Sequence, residues 1–254
     1  TDTQGGRVHL YSGNGANQSV PGTVMDTAGN QASTSVGPIN IDAVAPTIAV
    51  TNVAAGGIYT LGAAPAAGCT ASDGVSGVAA PCKVTVSGGT ANGVGTYTVT
   101  ATASDNAGNS ATTSLTYRVV YRWDGFLQPV NDTAHQVGTS TSIFKGGSTV
   151  PMKFQLKTAA GAIVQANVLS TWLTPVKGST VAAPVDESVY SDTGSAGGTY
   201  AWDSTGQQYQ YNWSTKGVAA GFYYRVGVRL DDGQTHDVNV GLRWELFQPY
   251  RDEL

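Results

Sequence analysis

The chain reads as an all-β protein built from small sandwich modules, and three observations carry that expectation. The run Asp26-Thr27-Ala28-Gly29-Asn30 returns 79 positions later as Asp105-Asn106-Ala107-Gly108-Asn109, inside the matching surroundings VPGTVMDTAGNQASTSV and VTATASDNAGNSATTSL. A period near 80 residues with strand-like units marks a modular β-chain. The composition agrees: 33 glycines and only 12% charged residues leave no stretch with the Leu/Glu/Lys/Arg richness of a helical bundle. Finally, Tyr97, Val99, Ala101 and Ala103 alternate with Thr96, Thr98, Thr100 and Thr102, the period-2 signature of a half-buried strand.

The second copy, residues 44–119, contains strand candidates at 47–52, 67–72, 82–87, 95–104 and 110–119. Its Asp105–Asn109 run is turn chemistry, because Asp and Asn side chains bond nearby backbone N–H groups and Gly accepts positive φ. The first copy has only residues 1–43 before Val44-Ala45-Pro46-Thr47-Ile48 opens the second. A sandwich of the best-known kind takes about 100 residues, so the first module is expected to lack its leading strands. Val20, Val24 and Val36 are then an open core face, poised to accept a strand from elsewhere.

VAPTI at the entrance, SDGVSG in the middle and SDNAGNSATTSLTYRV at the exit resemble the bacterial Ig-like repeats of secreted and cell-surface proteins. The resemblance covers 44–119 and, in part, 17–43. It implies tandem Ig-like β-sandwiches, the first incomplete at its N-terminus, in an extracellular setting. In residues 120–243, YRWDGFLQPV, FKGGSTVPMKFQLKTAAGAIV and GFYYRVGVRLDDGQTHDVNVGLR resemble the PxKF domain found near the C-termini of extracellular bacterial proteins. Pro151-Met152-Lys153-Phe154 supplies its motif, and that family implies no catalysis. Read physically, Val150, Met152, Phe154 and Leu156 share one strand face, with Lys153 and Gln155 opposite, and Pro151 marks an edge or a strand start. Tyr224, Val226, Val228 and Leu230 face inward, Asp231-Asp232-Gly233 turns the chain, and Val238, Val240 and Leu242 face back, which predicts a hairpin.

Residues 244–254 read as a tail or the start of a further strand. RWELFQPYRD (243–252) echoes RWDGFLQPVND (122–132), so Trp123 and Trp244 are expected to play one repeated structural role, and the 243–254 segment is a candidate strand donor. The final Arg251-Asp252-Glu253-Leu254 mimics an endoplasmic-reticulum retention signal, a reading set aside because nothing else in the chain looks eukaryotic.

Two cysteines, Cys69 and Cys82, flank the turn-rich stretch TASDGVSGVAAP. A disulfide there would contribute about 3 kcal/mol by the chain-entropy model and imply an oxidising compartment; free thiols are the alternative. Charge is mild, with a formal net value of -4 and thirteen scattered Lys and Arg, which disfavours nucleic-acid binding. No apolar run approaches the roughly 20 residues that span a bilayer.

Catalytic constellations are weak. His9, His135 and His236 lack metal spacing, and His236 is expected to point outward on its strand. Asp186-Glu187 and Asp231-Asp232 are the carboxylate pairs nearest to a glycosidase arrangement, but the second sits in a tight turn. Calcium remains a weak alternative through Asp73, Asp105 and Asp26, whose turn-capping role comes first because no DxDxDG loop is present. Lys83 and Lys153 are expected to be exposed, which removes a buried lysine for an intramolecular Lys–Asn crosslink. Tyr200 and Trp202, with Tyr209, Tyr211 and Trp213, are either core aromatics or a sugar-stacking platform.

These residues predict a noncatalytic extracellular structural or adhesive protein without cofactor, self-associating through its incomplete first module, with a cell-surface glycan or protein as a further partner. The alternative is an accessory region, spacer or carbohydrate-binding through Tyr200, Trp202, Tyr209 and Trp213, of a secreted bacterial hydrolase.

Overall fold

The computed structural model describes residues 13–130, 142–190 and 194–244, and they form an all-β protein. The chain divides into two compact units. Unit 1 holds the described residues up to Gly56 with Pro65–Ser87 and Thr98–Thr116; unit 2 holds Gly57–Ala64, Gly88–Tyr97 and the described residues from Tyr117 onward.

Unit 1 opens with β1 (Gly15–Met25) and β2 (Gln31–Ile41), an antiparallel hairpin that forms a two-stranded sheet of its own. Next come β3 (Thr47–Thr51) and β5 (Gly68–Ser72), paired antiparallel from Thr47↔Ser72 to Thr51↔Gly68. That register places Ile48 and Val50 beside Ala71 and Cys69 on one half-buried face, while Thr47, Ala49, Thr70 and Ser72 face water. Beside it run β6 (Lys83–Gly88), β7 (Gly95–Ser104) and β8 (Ser110–Val120). On β7, Val99, Ala101 and Ala103 are buried whereas Thr102 and Ser104 are exposed, so the alternation read from the sequence is the alternation in space. Five of the anticipated strands thus form within a residue or so of their expected limits. The short β4 (Ile58–Thr60), which pairs parallel with the end of β8 within unit 2, was not anticipated; three residues carry too little pattern to read.

Cys69 and Cys82 are joined in a disulfide. Closing a loop of this size restricts the unfolded chain and contributes about 3 kcal/mol in the entropic account. It ties β5 to the residue just before β6.

Unit 2 is a sandwich of two five-stranded sheets. One is ordered β10 (Ser142–Lys145), β18 (Thr235–Arg243), β17 (Phe222–Arg229), β13 (Thr171–Thr180) and β14 (Ala196–Thr199). The other is ordered β12 (Ile163–Val164), β11 (Thr149–Lys157), β16 (Gln208–Ser214) and β15 (Ala201–Asp203), with β9 (Arg122–Leu127) also on β11. Pairing is antiparallel except for β10 with β18.

The stretch Pro151-Met152-Lys153-Phe154 lies in β11, where Val150, Met152, Phe154 and Leu156 are fully buried; burial of side chains this size contributes about 1.5–3 kcal/mol each. Pro151 pairs with Asn212 of β16 on one side, and β9 joins β11 only from Lys153 onward, so the missing N–H falls where β11 is locally an edge. The β17–β18 hairpin forms as expected, with Tyr224, Val226, Val228, Leu230, Val238, Val240 and Leu242 all buried.

Candidate functional site

The first site to build is the β1–β2 hairpin. In the register Val20↔Val36, Gly22↔Thr34 and Val24↔Ala32, the three valines and Ala32 lie on one face. This is the face named from the sequence. Val24 and Val36 remain 60% and 64% exposed, and neither outer edge of the hairpin is paired among the described residues. The equivalent positions 79 residues on behave differently. Val99, which matches Val20, is 0% exposed, and Ala103, which matches Val24, is 7% exposed.

The two turns are nearly superposable in their bonding. Asp26 N–H donates to the Asn30 carbonyl at 2.9 Å, Asn30 N–H to Asp26 Oδ1 at 2.8 Å, and Asn30 Nδ2 to Asp26 Oδ2 at 2.7 Å. The second copy repeats these bonds between Asp105 and Asn109 at 3.0, 2.8 and 2.8 Å. Gly29 and Gly108 take φ of 87° and 94°, a region where a Cβ is strained. The Asn30 side-chain bond, followed by its backbone bond, holds the Asp26 carboxyl below its ordinary range.

One difference is instructive: Asn109 Nδ2 also reaches the main-chain carbonyls of Asp42 at 3.1 Å and Val44 at 3.4 Å. The second turn therefore grips the 42–44 segment that leads into β3. Among the described residues, Asn30 has no such linker to hold.

A second site is the carboxylate group Asp42, Asp73 and Asp105, whose oxygens lie within 4.8 Å of one another. The structure thus brings together two of the three aspartates named for calcium and adds Asp42, while Asp26 is not in the group. Asp42 was missed because its only signal was an acidic residue two positions before Val44-Ala45-Pro46. Turn capping accounts for most of these oxygens. Asp73 Oδ1 accepts from the Val75, Ser76 and Gly77 amides at 2.9–3.0 Å. Asp42 Oδ1 accepts from Val44 N–H at 2.9 Å and Oδ2 from Ser76 N–H at 3.1 Å, and hydrogen bonding to Ser76 leads the lowering of its pKa. Calcium takes six to eight oxygens, and five of the six carboxylate oxygens here already accept hydrogen bonds; their visible work is to fasten the 42–44 linker to the 73–77 loop.

The aromatic candidates correct the sugar-platform expectation. Tyr200, Tyr209 and Trp213 are buried, and a buried ring offers no face to a sugar. Phe154 stacks on Tyr209 at 5.0 Å and meets Tyr200 edge-on at 4.9 Å, while Trp172 stacks on Tyr211 at 4.2 Å. These rings are the core of unit 2. Trp202 alone of the four is half-buried, edge-on to Tyr209 at 5.0 Å.

His236 is also corrected. Its ring lies 4.1 Å from that of Trp123 and nearly parallel to it, and burial lowers its pKa to about 4. Trp123 further packs on Phe126 and Phe154, whereas Trp244 is 71% exposed; the echoed motif does not give the two tryptophans a common role within the described residues. His9, His135 and residues 245–254 lie outside the described residues. Lys83 is exposed as expected, while Lys153 is half-buried.

Both carboxylate pairs considered for catalysis are engaged structurally. Asp186 caps a 3-10 turn at Glu187–Val189, and Glu187 pairs with Arg225 at 2.6 Å and accepts from Asn239. Arg225 also meets Asp237 at 3.1 Å and lies 4.0 Å over the Tyr190 ring, whose phenol is pushed up to about 12, mainly by burial. Asp231 Oδ2 accepts the Asn167 and Val168 amides at 2.7 and 3.1 Å. Asp232 accepts Tyr121 N–H at 2.9 Å and Gln234 N–H at 2.8 Å, and its burial raises its pKa.

No family model matches the chain, and no curated protein matches it. Among solved structures it is similar to protocadherin gamma B2 extracellular cadherin domains 3–6, at 12% identity and a TM-score of 0.24, covering 89% of this chain and 56% of that one. It is similar too to the protocadherin gammaB4 extracellular domain, at 12% identity and a TM-score of 0.26, covering 89% of this chain and 38% of that one. The chain thus spans about half, or less, of the structures it matches. No helix among the described residues is long and apolar enough to cross a membrane.

Proposed function

We propose that the chain is a noncatalytic, extracellular structural or adhesive protein whose leading hairpin is completed by strands from outside it. The observation that carries this reading is the β1–β2 hairpin itself, with Val24 and Val36 in water, Val20 half-buried, and both outer edges unpaired among the described residues. An isolated two-stranded hairpin is marginally stable, three or more strands being the usual minimum. Open edges recruit strands, and strand addition completes sandwiches of this type. The disulfide suits an oxidising compartment, in keeping with the resemblance to secreted Ig-like and PxKF modules. The carboxylates that suggested hydrolysis are turn caps and ion-pair partners, which favours a scaffold over an enzyme.

Amide hydrogen exchange across a dilution series, paired with sedimentation, tests the reading. The expected result is β1–β2 amides that exchange freely in the dilute chain and gain protection only on assembly, with Val36→Asp abolishing that gain. A dilute monomer whose β1–β2 amides are already strongly protected would show a self-sufficient hairpin and end the proposal.

A further inference from the structure

The chain carries its own template for what covers the open hairpin, because β7–β8 is the same hairpin seated in a finished module. Both turns share the Asp–Asn bonding pattern, and the faces match position for position: Val20 with Val99, Val24 with Ala103, Ala32 with Ala111, Val36 with Leu115. In unit 1 the other sheet of that finished module is β3–β5, whose half-buried face carries Ile48, Val50, Cys69 and Ala71. The linker entering β3 is gripped by Asn109 through the carbonyls of Asp42 and Val44.

From this correspondence, and resting on the completion reading above, we infer that the β1–β2 face binds a two-stranded antiparallel sheet of the β3–β5 kind, whose second strand is tied by a disulfide to the residue just before the strand that follows it. The entering main chain of that sheet is held by the Asn30 amide. The occupant is thus defined chemically. It is a segment of about the length and pattern of residues 42–82, with alternate small or branched apolar residues on one face, hydroxylated residues on the other, and a linker whose carbonyls meet Asn30 Nδ2. Three features of the hairpin fit such a guest: an apolar stripe one residue wide on each strand, a turn whose geometry is already set by Asp26 and Gly29, and an asparagine amide with hydrogen-bonding capacity beyond its bond to Asp26. A charged guest does not fit, since the face it would meet carries Val20, Val24, Ala32 and Val36 and no charged group to pair with it.

The test uses the full chain with Val24→Cys as a reporter of the covered face. Residues 42–82 are fused ahead of Thr1, and thiol labelling is compared with and without the graft. Labelling is expected to slow at least tenfold in the grafted chain, and Asn30→Ala within it to recover about fivefold, the worth of one neutral hydrogen bond. Should the graft fail to fold, an oxidised peptide of residues 42–82 added to the ungrafted Val24→Cys chain asks the same question, with saturable protection as the expected result. Labelling that is fast without the guest and equally fast with it overturns this inference and leaves the open-hairpin reading standing. Protection that rises with the concentration of the ungrafted chain, in an assembly that the oxidised 42–82 peptide does not dissociate by sedimentation, shows a second copy seated through another surface and overturns it as well. Protection of the ungrafted chain at every dilution defeats the completion reading itself.

Discussion

The β1–β2 and β7–β8 hairpins share nine of seventeen residues between 20–36 and 99–115 and the same turn, yet one leaves Val24 and Val36 in water while the other buries Val99 and Ala103. Local sequence therefore settles the hairpin, with its Asp cap, positive-φ glycine and alternating strands. Whether that hairpin has a core depends on neighbours that local sequence does not contain. Propensity and turn chemistry make a ribbon, and only a second sheet makes a sandwich.

The largest expected contrast comes from placing one charge at equivalent positions. Ala103→Asp buries an unpaired carboxylate and is expected to cost roughly 3 kcal/mol or more. Val24→Asp should change the stability of the dilute chain by less than about 0.5 kcal/mol. Amide exchange on β7–β8 is the measurement, because every described tryptophan lies in unit 2 and fluorescence does not report on unit 1. Equal costs at the two positions would mean that the hairpins are equally covered.

A seated hairpin also acquires a pH signature that a bare one lacks. His236 on β18 has a folded pKa of about 4, against 6.5 for the unperturbed group, so between these values the unfolded chain binds the extra proton. Unit 2 is therefore expected to lose stability as pH falls from about 6.5 to 4, by up to roughly 3 kcal/mol. Tryptophan-monitored urea unfolding at several pH values checks this, and His236→Phe should flatten that part of the profile while keeping the stack on Trp123. The β1–β2 hairpin carries no histidine and should show no such slope.

The smallest contrast lies in the turns. Asp105→Ala removes the acceptor of two Asn109 bonds at a buried site and should cost about 1–2 kcal/mol. Asp26→Ala removes the same bonds at an exposed turn and should cost a few tenths of that. Exchange rates of the amides flanking each turn read both. A large effect at Asp26 would indicate that the first hairpin is already supported.

What could be read in advance follows the same division. Strands with a strong alternation, β3, β5 to β8, β11 and β17–β18, were legible because their pattern is local. The open face of Val20, Val24 and Val36 was legible because the repeat exposes what is missing beside it. Asp42 was not, since its role arises from where the 73–77 and 105–109 turns arrive in space. Nor was the fate of the aromatics: Tyr200 and Tyr209 have the alternation of a platform and of a core alike, and only the opposing sheet, through Trp172, decides between them. His236 failed for a related reason, because alternation along its own strand says nothing of Trp123 arriving from another.

The covalent tie between Cys69 and Cys82 encloses exposed residues 74–75 and 79–81, which lie between β5 and β6. A protease that nicks the backbone there leaves both fragments attached. Digested protein is then expected to run at full length on a gel without reductant and as two pieces once thiol is added, so that clipping in a hostile medium does not by itself shed the remainder of the molecule.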